Sequence, residues 1–222
     1  MSFRRAIPCL AVALLLSGSG VFCNPTIASA ASGEAGDMCV NPDYEAPPLH
    51  VRLKPLADLL AEGEGDYNSV NRGYAGDTPS GIRGLTGKDF EEFTIQQVME
   101  MQARWLYAVG RYQFIPATLR FAVAMSDVDL RDKFTNEVQD KLMVALIMYK
   151  RPAIGAYLQG NHDYVGWALD ELAREWASVE YRNGRGYYDH IGGNRAHVSR
   201  ERAWEVLQNI RKGWLIDKGV LL

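Results

Sequence analysis

Apolar residues adopt a regular helical spacing in the segment that begins near residue 51. Leucines recur at positions 53, 56 and 60, and Pro55 suits the first turn of a helix. Glycines at positions 63 and 65 then end the pattern. The spacing therefore predicts a helix with Glu62 at its C-terminal end.

Further helices are predicted later in the chain. Thr94 with Gln97 three residues on forms a capping box that opens the second helix, and Pro116 starts a short third one. A long apolar helix is expected over residues 137–157, where Pro152 should kink the helix or end it early.

Two amphipathic helices complete the pattern. One covers residues 163–178, and the other begins after a cap at Ser199. Residues 63–93 are rich in Gly, Asp, Asn, Ser and Thr, which predicts loops with at most a small hairpin. The expected fold class is therefore mainly α: a single domain of five or six helices with a small hairpin or loop region.

The first thirty residues differ from the rest. Arg4 and Arg5 precede an apolar stretch over residues 7–16, and positions 28–30 read Ala-Ser-Ala. This layout predicts a secretory signal peptide over residues 1–30, so the protein is expected in the periplasm or secreted. Residues 31–50 are predicted to be a flexible leader, and residues 51–222 the folded domain. No later segment is apolar enough to span a bilayer, so no stable membrane insertion is expected after cleavage.

Charge and cysteine content exclude several classes of protein. The 222 residues carry a formal charge of −3 without a long basic run, which argues against a nucleic-acid partner. Removing Arg4 and Arg5 with the signal takes this charge to −5. Only Cys39 would remain after cleavage, so we expect a free thiol and a fold held by core burial without an internal disulfide.

Glu62 is the candidate catalytic acid. A carboxylate at a helix C-terminus faces the negative end of the helix dipole, which raises its pKa, and burial in a cleft would raise the pKa further. A glycosidase general acid has to stay protonated near neutral pH. A single Glu-Gly pair is by itself more often a solvated helix end, and Glu64 is a second acid close by.

Two later segments carry side chains suited to sugar binding. Positions 110–113 read Gly-Arg-Tyr-Gln, which supplies a stacking ring and an amide for hydrogen bonds. Positions 184–194 form a glycine-rich loop with two adjacent tyrosines. Taken singly, each segment fits a turn or surface loop with a packed tyrosine equally well. The predicted substrate-binding residues are Tyr67, Asn68, Tyr112, Gln113, Tyr187 and Tyr188.

Four segments, in this order, resemble the bacteriophage lambda endolysin group of lysozyme-like proteins. Ala-Glu-Gly at 61–63 resembles the group's catalytic glutamate motif, and the 110–113 segment resembles its Gly-Arg-Tyr-Gln. Gln-Asp at 139–140 and Trp-Ala-Ser-Val at 176–179 resemble two further motifs of the group. The resemblance covers roughly residues 53–212, and it is the ordered set that gives it specificity.

The resemblance implies cleavage of the bond between N-acetylmuramic acid and N-acetylglucosamine, with Glu62 protonating the leaving oxygen. It favours lytic transglycosylation, in which the muramic acid C6 hydroxyl attacks within its own sugar. A hydrolytic muramidase with the same acid stays open, because sequence does not fix the position of the second carboxylate that hydrolysis needs. The expected partner is the peptidoglycan glycan strand.

A non-catalytic function is the competing class. A lysozyme-like domain could hold peptidoglycan as a scaffold, with a secretion apparatus as a second partner, although the retained Glu62 weighs against this. No cofactor or metal is predicted, because the four histidines lack ligand spacing with cysteines or paired acids. The tryptophans fall mostly at helical spacing and are expected in the core: Trp105, Trp167, Trp176, Trp204 and Trp214.

Overall fold

A computed structural model describes residues 45–191 and 195–219. The predicted signal peptide, its cleavage site at Ala30, Cys39 and most of the leader lie outside the described residues, as do positions 192–194 of the glycine-rich loop. The folded unit starts at Glu45. Its first helix begins at Leu49, two residues before the predicted start of the domain.

The described residues form a mainly α structure, as predicted. They contain nine α-helices, more than the five or six expected, because several are short. These helices are α1 (Leu49–Arg52), α2 (Lys54–Glu64), α3 (Gly81–Thr86), α4 (Ile95–Gln102), α5 (Pro116–Ala124), α6 (Asn136–Ala145), α7 (Pro152–Leu158), α8 (Val165–Glu175) and α9 (Arg200–Asp217). None of the helices in the described part of the chain is both long and apolar enough to cross a membrane.

Local capping signals place several helix ends correctly. Thr94 Oγ1 accepts from Gln97 N, and Gln97 Oε1 accepts from Thr94 N, so the predicted capping box opens α4. Ser199 Oγ accepts from Arg202 N at the start of α9. Pro55 lies in the first turn of α2. These ends depend on residues three apart, which is why the sequence alone defines them.

The helix predicted over residues 137–157 is broken into three parts. After α6 the chain runs as a π-helix from Leu146 to Lys150, and α7 starts at Pro152. Arg151 N donates to Leu146 O, five residues back, and the backbone of Arg151 is not helical (φ −123°, ψ 62°). Proline disfavours the α conformation in the residue before it, so Pro152 ends one helical run and starts the next, as predicted.

Two small antiparallel ladders complete the fold. Strand β1 (Val70–Asn71) pairs with β2 (Ala108–Val109), with Val70 opposite Val109. Strand β3 (Glu180–Arg182) pairs with β4 (Arg185–Gly186). Within residues 63–93 an antiparallel bridge between Asn71 and Asp77 closes a small turn, in agreement with the small hairpin predicted there. The β1–β2 pairing joins distant segments and brings the loop after α2 beside the segment that precedes α5.

One hydrophobic core extends from Leu53 at the start of α2 to Trp214 in α9. Helix α2 buries Leu56 and Leu60 and packs against α9. The prediction that the tryptophans are core residues is correct for Trp176 and Trp214 and wrong for the other three. The other three are Trp105, Trp167 and Trp204. Their side chains are about two-fifths or more exposed, because they lie beyond a helix end or on the outer face of a helix.

Candidate active site at the end of helix α2

Glu62 lies on the outer face of α2 and not in a cleft. Its two carboxylate oxygens accept from Arg202 Nη1 and Nη2, both at 2.7 Å, and its side chain is about half exposed (48%). The hydrogen-bonded guanidinium of Arg202 holds the pKa of Glu62 below its ordinary value. The predicted raised pKa is therefore wrong, because an exposed carboxyl with a cationic partner favours the charged form.

Glu64 has the surroundings that were expected for Glu62. It is the last residue of α2 and is partly buried, and its Oε1 accepts from the backbone N–H of Ser178 at 3.2 Å. Burial raises the pKa of Glu64, although the hydrogen bond from the Ser178 backbone and the nearby His197 oppose the shift. The residue at the helix C-terminus with a raised pKa is thus Glu64.

Helical geometry explains the contrast between the two acids. Glu64 is four residues after Leu60, so it lies on the buried face of α2, whereas Glu62 lies about 200° around the helix from Glu64. The apolar spacing of α2 could have identified Glu64 from sequence. The Ala-Glu-Gly motif points to Glu62 instead, because the motif carries no information on the direction of each side chain.

Close packing joins the end of α2 to the Trp-Ala-Ser-Val segment at 176–179. A Cβ on Gly63 would lie 2.3 Å from the Cβ of Ser178, so the two backbones approach too closely for a larger residue. His197 N and Val198 N donate to Ser178 O at 2.7 and 2.9 Å. These two bonds hold the carbonyl of Ser178, the residue whose backbone N–H contacts Glu64.

Gln139 joins the loop after α2 to the Gly-Arg-Tyr-Gln segment. Its Nε2 donates to Tyr67 O at 3.1 Å and its Oε1 accepts from Arg111 N at 3.0 Å. Gly110 has a φ of +73°, and a Cβ there would lie 2.3 Å from Gln139 Oε1. A glycine is required at this position on both counts.

Asp140, the next residue, anchors two tyrosines. It accepts from Tyr112 OH at 2.5 Å and from Tyr67 OH at 3.1 Å, and Tyr67 OH accepts from Arg111 Nη1 at 2.6 Å. Burial and the adjacent Asp140 raise the pKa of Tyr112. The ring of Tyr112 is buried (2% exposed), so the expectation that it offers a stacking face to a sugar is wrong.

The remaining predicted sugar-contacting residues fall into two groups. Asn68 Oδ1 accepts from Phe90 N, and Gln113 Nε2 donates to Gly110 O, both at 2.9 Å, so these two amides hold their own loops. Tyr187 is partly exposed (39%), and Tyr188 OH donates to Arg174 O at 2.8 Å. Binding of substrate by these residues remains a prediction.

Other carboxylates near Glu64 in sequence are engaged in local hydrogen bonds. Asp66 Oδ1 accepts from Asn68 N at 2.8 Å and from Ser69 Oγ at 3.1 Å, which fixes the turn after α2. Asp77 Oδ1 accepts from Asn71 Nδ2 at 2.7 Å. Within the described ranges, His, Cys, Asp and Glu form no group of three that could hold a metal ion.

No protein-family model, curated protein or solved structure matches the chain. The four motif segments meet in two pairs: Gly63 packs closely against Ser178, and Gln139 and Asp140 hydrogen-bond to the 110–113 segment.

Proposed function

We propose that the protein is a lysozyme-like enzyme that cleaves peptidoglycan glycan strands, with Glu64 as the catalytic acid. The observation that carries the proposal is the environment of Glu64: a partly buried carboxyl at a helix C-terminus whose pKa is raised. A glycosidase general acid needs this combination, because it must hold a proton near neutral pH and still reach the substrate.

Contacts between the motif segments support the same proposal. The residues that resemble endolysin motifs lie far apart in the chain, yet Ser178 contacts the acid and Gln139 holds the Gly110 loop against Tyr67. The substrate cleft of a lysozyme-like domain is proposed to lie at Glu64, between the loop after α2 and the segments around Ser178.

In the proposed reaction Glu64 donates its proton to the oxygen that leaves from the muramic acid C1, and the C1–O bond breaks. The C6 hydroxyl of the same sugar then attacks C1, and its proton returns to the Glu64 carboxylate. The products are a 1,6-anhydro-muramic acid end and a new free hydroxyl on the N-acetylglucosamine side. Because the nucleophile belongs to the substrate, no second carboxylate is required.

The state of the neighbouring acids favours this route over hydrolysis. Hydrolysis uses a second carboxylate, either as nucleophile or to activate water. Glu62 is paired with Arg202, Asp66 holds a turn, and Asp77 is bonded to Asn71. The acids close to Glu64 in sequence thus have structural partners. The predicted signal peptide would deliver this activity to the periplasm or the medium.

Digestion of purified peptidoglycan tests the proposal. Wild type, Glu64→Gln and the matched Glu62→Gln are incubated with purified sacculi, and mass spectrometry identifies the released muropeptides. We expect anhydro-muropeptides from wild type and Glu62→Gln, and a loss of about a hundredfold or more for Glu64→Gln. Reducing ends in place of anhydro ends would indicate a hydrolase. An inactive Glu62→Gln beside an active Glu64→Gln would return the acid to Glu62, and wild type that binds without release would indicate a scaffold.

A further inference from the structure

A groove of about 740 Å³ lies on the surface between the turn after β1 and the segment that connects α4 to β2. None of its lining residues belongs to the candidate active site. Five side chains give it its chemical character: Arg72, Tyr74, Arg104, Trp105 and Tyr107.

Three aromatic rings are exposed along this groove. Tyr74 is fully exposed, while Trp105 and Tyr107 are 40% and 49% exposed. The helical spacing predicts Trp105 in the core, but α4 ends at Gln102, so Trp105 lies in the turn beyond the helix. Clusters of exposed aromatic rings are typical of a binding site, because a ligand that covers the rings removes their apolar surface from water. Flat aromatic faces next to polar groups suit the apolar faces and hydroxyls of sugar rings.

Two unpaired cations flank the aromatic rings. The two cations are Arg72 and Arg104. Within the described part of the chain, neither guanidinium has a hydrogen-bond or ion-pair partner, although most other arginines there do. The residues described along the groove include no acid, in a chain whose net charge is −3. Arginine binds carboxylates through paired N–H groups, so the groove is complementary to a ligand that carries carboxylates.

The β1–β2 ladder connects this groove to the candidate active site. At one end Gly110 N donates to Ser69 O at 2.8 Å, beside the loop that follows Glu64. At the other end Tyr107 N donates to Asn71 O at 2.8 Å, next to Arg72. Strands rise about 3.3 Å per residue, so the ladder separates its two ends by roughly 10 Å. An extended polymer is the type of ligand that could reach both places.

We propose that this groove binds the peptide-bearing glycan strand away from the bond that is cut. Sugar rings stack on Trp105 and Tyr107, and carboxylates of the peptide stems pair with Arg72 and Arg104. Such binding holds a long insoluble polymer at the enzyme through contacts remote from the reaction. The inference rests on the proposed function and specifies the substrate as peptidoglycan with its acidic peptides still attached.

Binding is measured in the full chain carrying Glu64→Gln, so that cleavage does not interfere. One variant adds Trp105→Ala and Tyr107→Ala, and another adds Arg72→Gln and Arg104→Gln. Matched controls are Tyr149→Ala, an exposed tyrosine (57%) outside the groove, and Arg120→Gln, an exposed arginine of α5. Circular dichroism and thermal unfolding confirm that each variant is folded.

Two peptidoglycan preparations separate the sugar contacts from the peptide contacts. One is intact sacculi, and the other is glycan strands whose peptide stems have been removed with an amidase. We expect the aromatic variant to bind both preparations about tenfold more weakly or worse. The arginine variant should lose affinity for the intact material and bind naked strands almost like its parent. The two controls should bind both preparations like the parent.

Several results would overturn the inference. These are equal binding of sacculi by the groove variants and their parent, absence of sacculus binding by the parent, and tighter binding of a single-stranded oligonucleotide than of sacculi through the same residues. Failure of the proposed function would give a different set of results. In that case the protein with an intact Glu64 releases no muropeptides, while the binding assays still report whether the groove holds the polymer.

Discussion

At the scale of single residues, the end of α2 places two like carboxyls in opposite electrostatic surroundings. Arg202 stabilises the charged form of exposed Glu62, whereas burial destabilises the charged form of Glu64. Their pKa values are therefore displaced in opposite directions. Because a pKa difference between folded and unfolded states makes stability depend on pH, the two acids should be distinguishable without any substrate.

The first prediction concerns the pH dependence of stability in Glu64→Gln. In the folded protein Glu64 binds its proton more tightly than in the unfolded chain, so wild-type stability falls as pH rises from the unfolded pKa near 4.5 through the raised folded pKa. Glu64→Gln has no ionisable group at this position, so it does not undergo this pH-dependent loss of stability. Urea unfolding between about pH 4 and about pH 8 should show the variant gaining stability relative to wild type as pH rises.

Glu62→Gln is the control with the opposite sign. Its folded pKa is lowered, so the charged form contributes stability that is present above the unfolded pKa and disappears as pH falls through the folded pKa. The effect should be small, because the pair with Arg202 is exposed. A relative stability of Glu64→Gln that does not change with pH would contradict the environment described for Glu64.

Much of this residue-scale arrangement can be predicted from sequence, but not all of it. The leucine spacing in α2 already directs Glu64 inward and Glu62 outward, and a carboxylate at a helix end has a definite dipole effect. The partners Ser178 and Arg202 are more than a hundred residues away, so their contributions to the two pKa values require the tertiary structure.

At the scale of elements, local signals and long-range contacts determine different features. The capping box of α4 and the cap of α9 involve neighbours in sequence, and both are correctly predicted. The sequence does not predict the pairing of β1 with β2 or the π-helix from Leu146 to Lys150. Lys150, at the end of that π-helix, donates from Nζ to Glu175 Oε1 at 2.6 Å. No local sequence pattern reveals this contact with α8.

The second prediction concerns the turn between β2 and α5. Gly110→Ala should destabilise the protein, because alanine is strained at a φ of +73° and its Cβ would collide with Gln139 Oε1. Gly184→Ala is a matched control, since Gly184 has the same φ of +73° and nothing lies within 4 Å of an added Cβ. We expect a loss of about 1–2 kcal/mol for the control from backbone strain alone. The loss for Gly110→Ala should be greater by roughly 1–3 kcal/mol because of overpacking.

Urea unfolding of the two alanine variants measures this difference directly. If Gln139 Oε1 occupies the space beside Gly110, then adding Gln139→Ala should reduce the extra loss in a double-mutant cycle, because the collision is removed. Equal losses for Gly110→Ala and Gly184→Ala would show that only the backbone conformation matters. In that case Gln139 would have no part in fixing the turn.

At the scale of the whole molecule, segments dispersed over more than a hundred residues meet around the end of α2. The order of the motif segments can be predicted from sequence because each has its own local pattern. Their contacts cannot, since they arise from how α2, α6 and the segment after α8 share one core. Because the core is continuous, we expect the folded unit to unfold as a whole.

The last prediction is that the unit from Glu45 unfolds as a single cooperative transition that does not depend on reducing agent. One core connects α2 to α9, so partial opening would expose apolar surface throughout the unit. The three cysteines, Cys9, Cys23 and Cys39, all precede Glu45, so burial and not a disulfide must hold the core. Fluorescence of the buried Trp176 and Trp214 and far-ultraviolet circular dichroism should give coincident urea curves, with and without dithiothreitol. Separate midpoints would mean that the core is two independently stable parts, and a shift with dithiothreitol would mean that a disulfide through the preceding segment stabilises the fold.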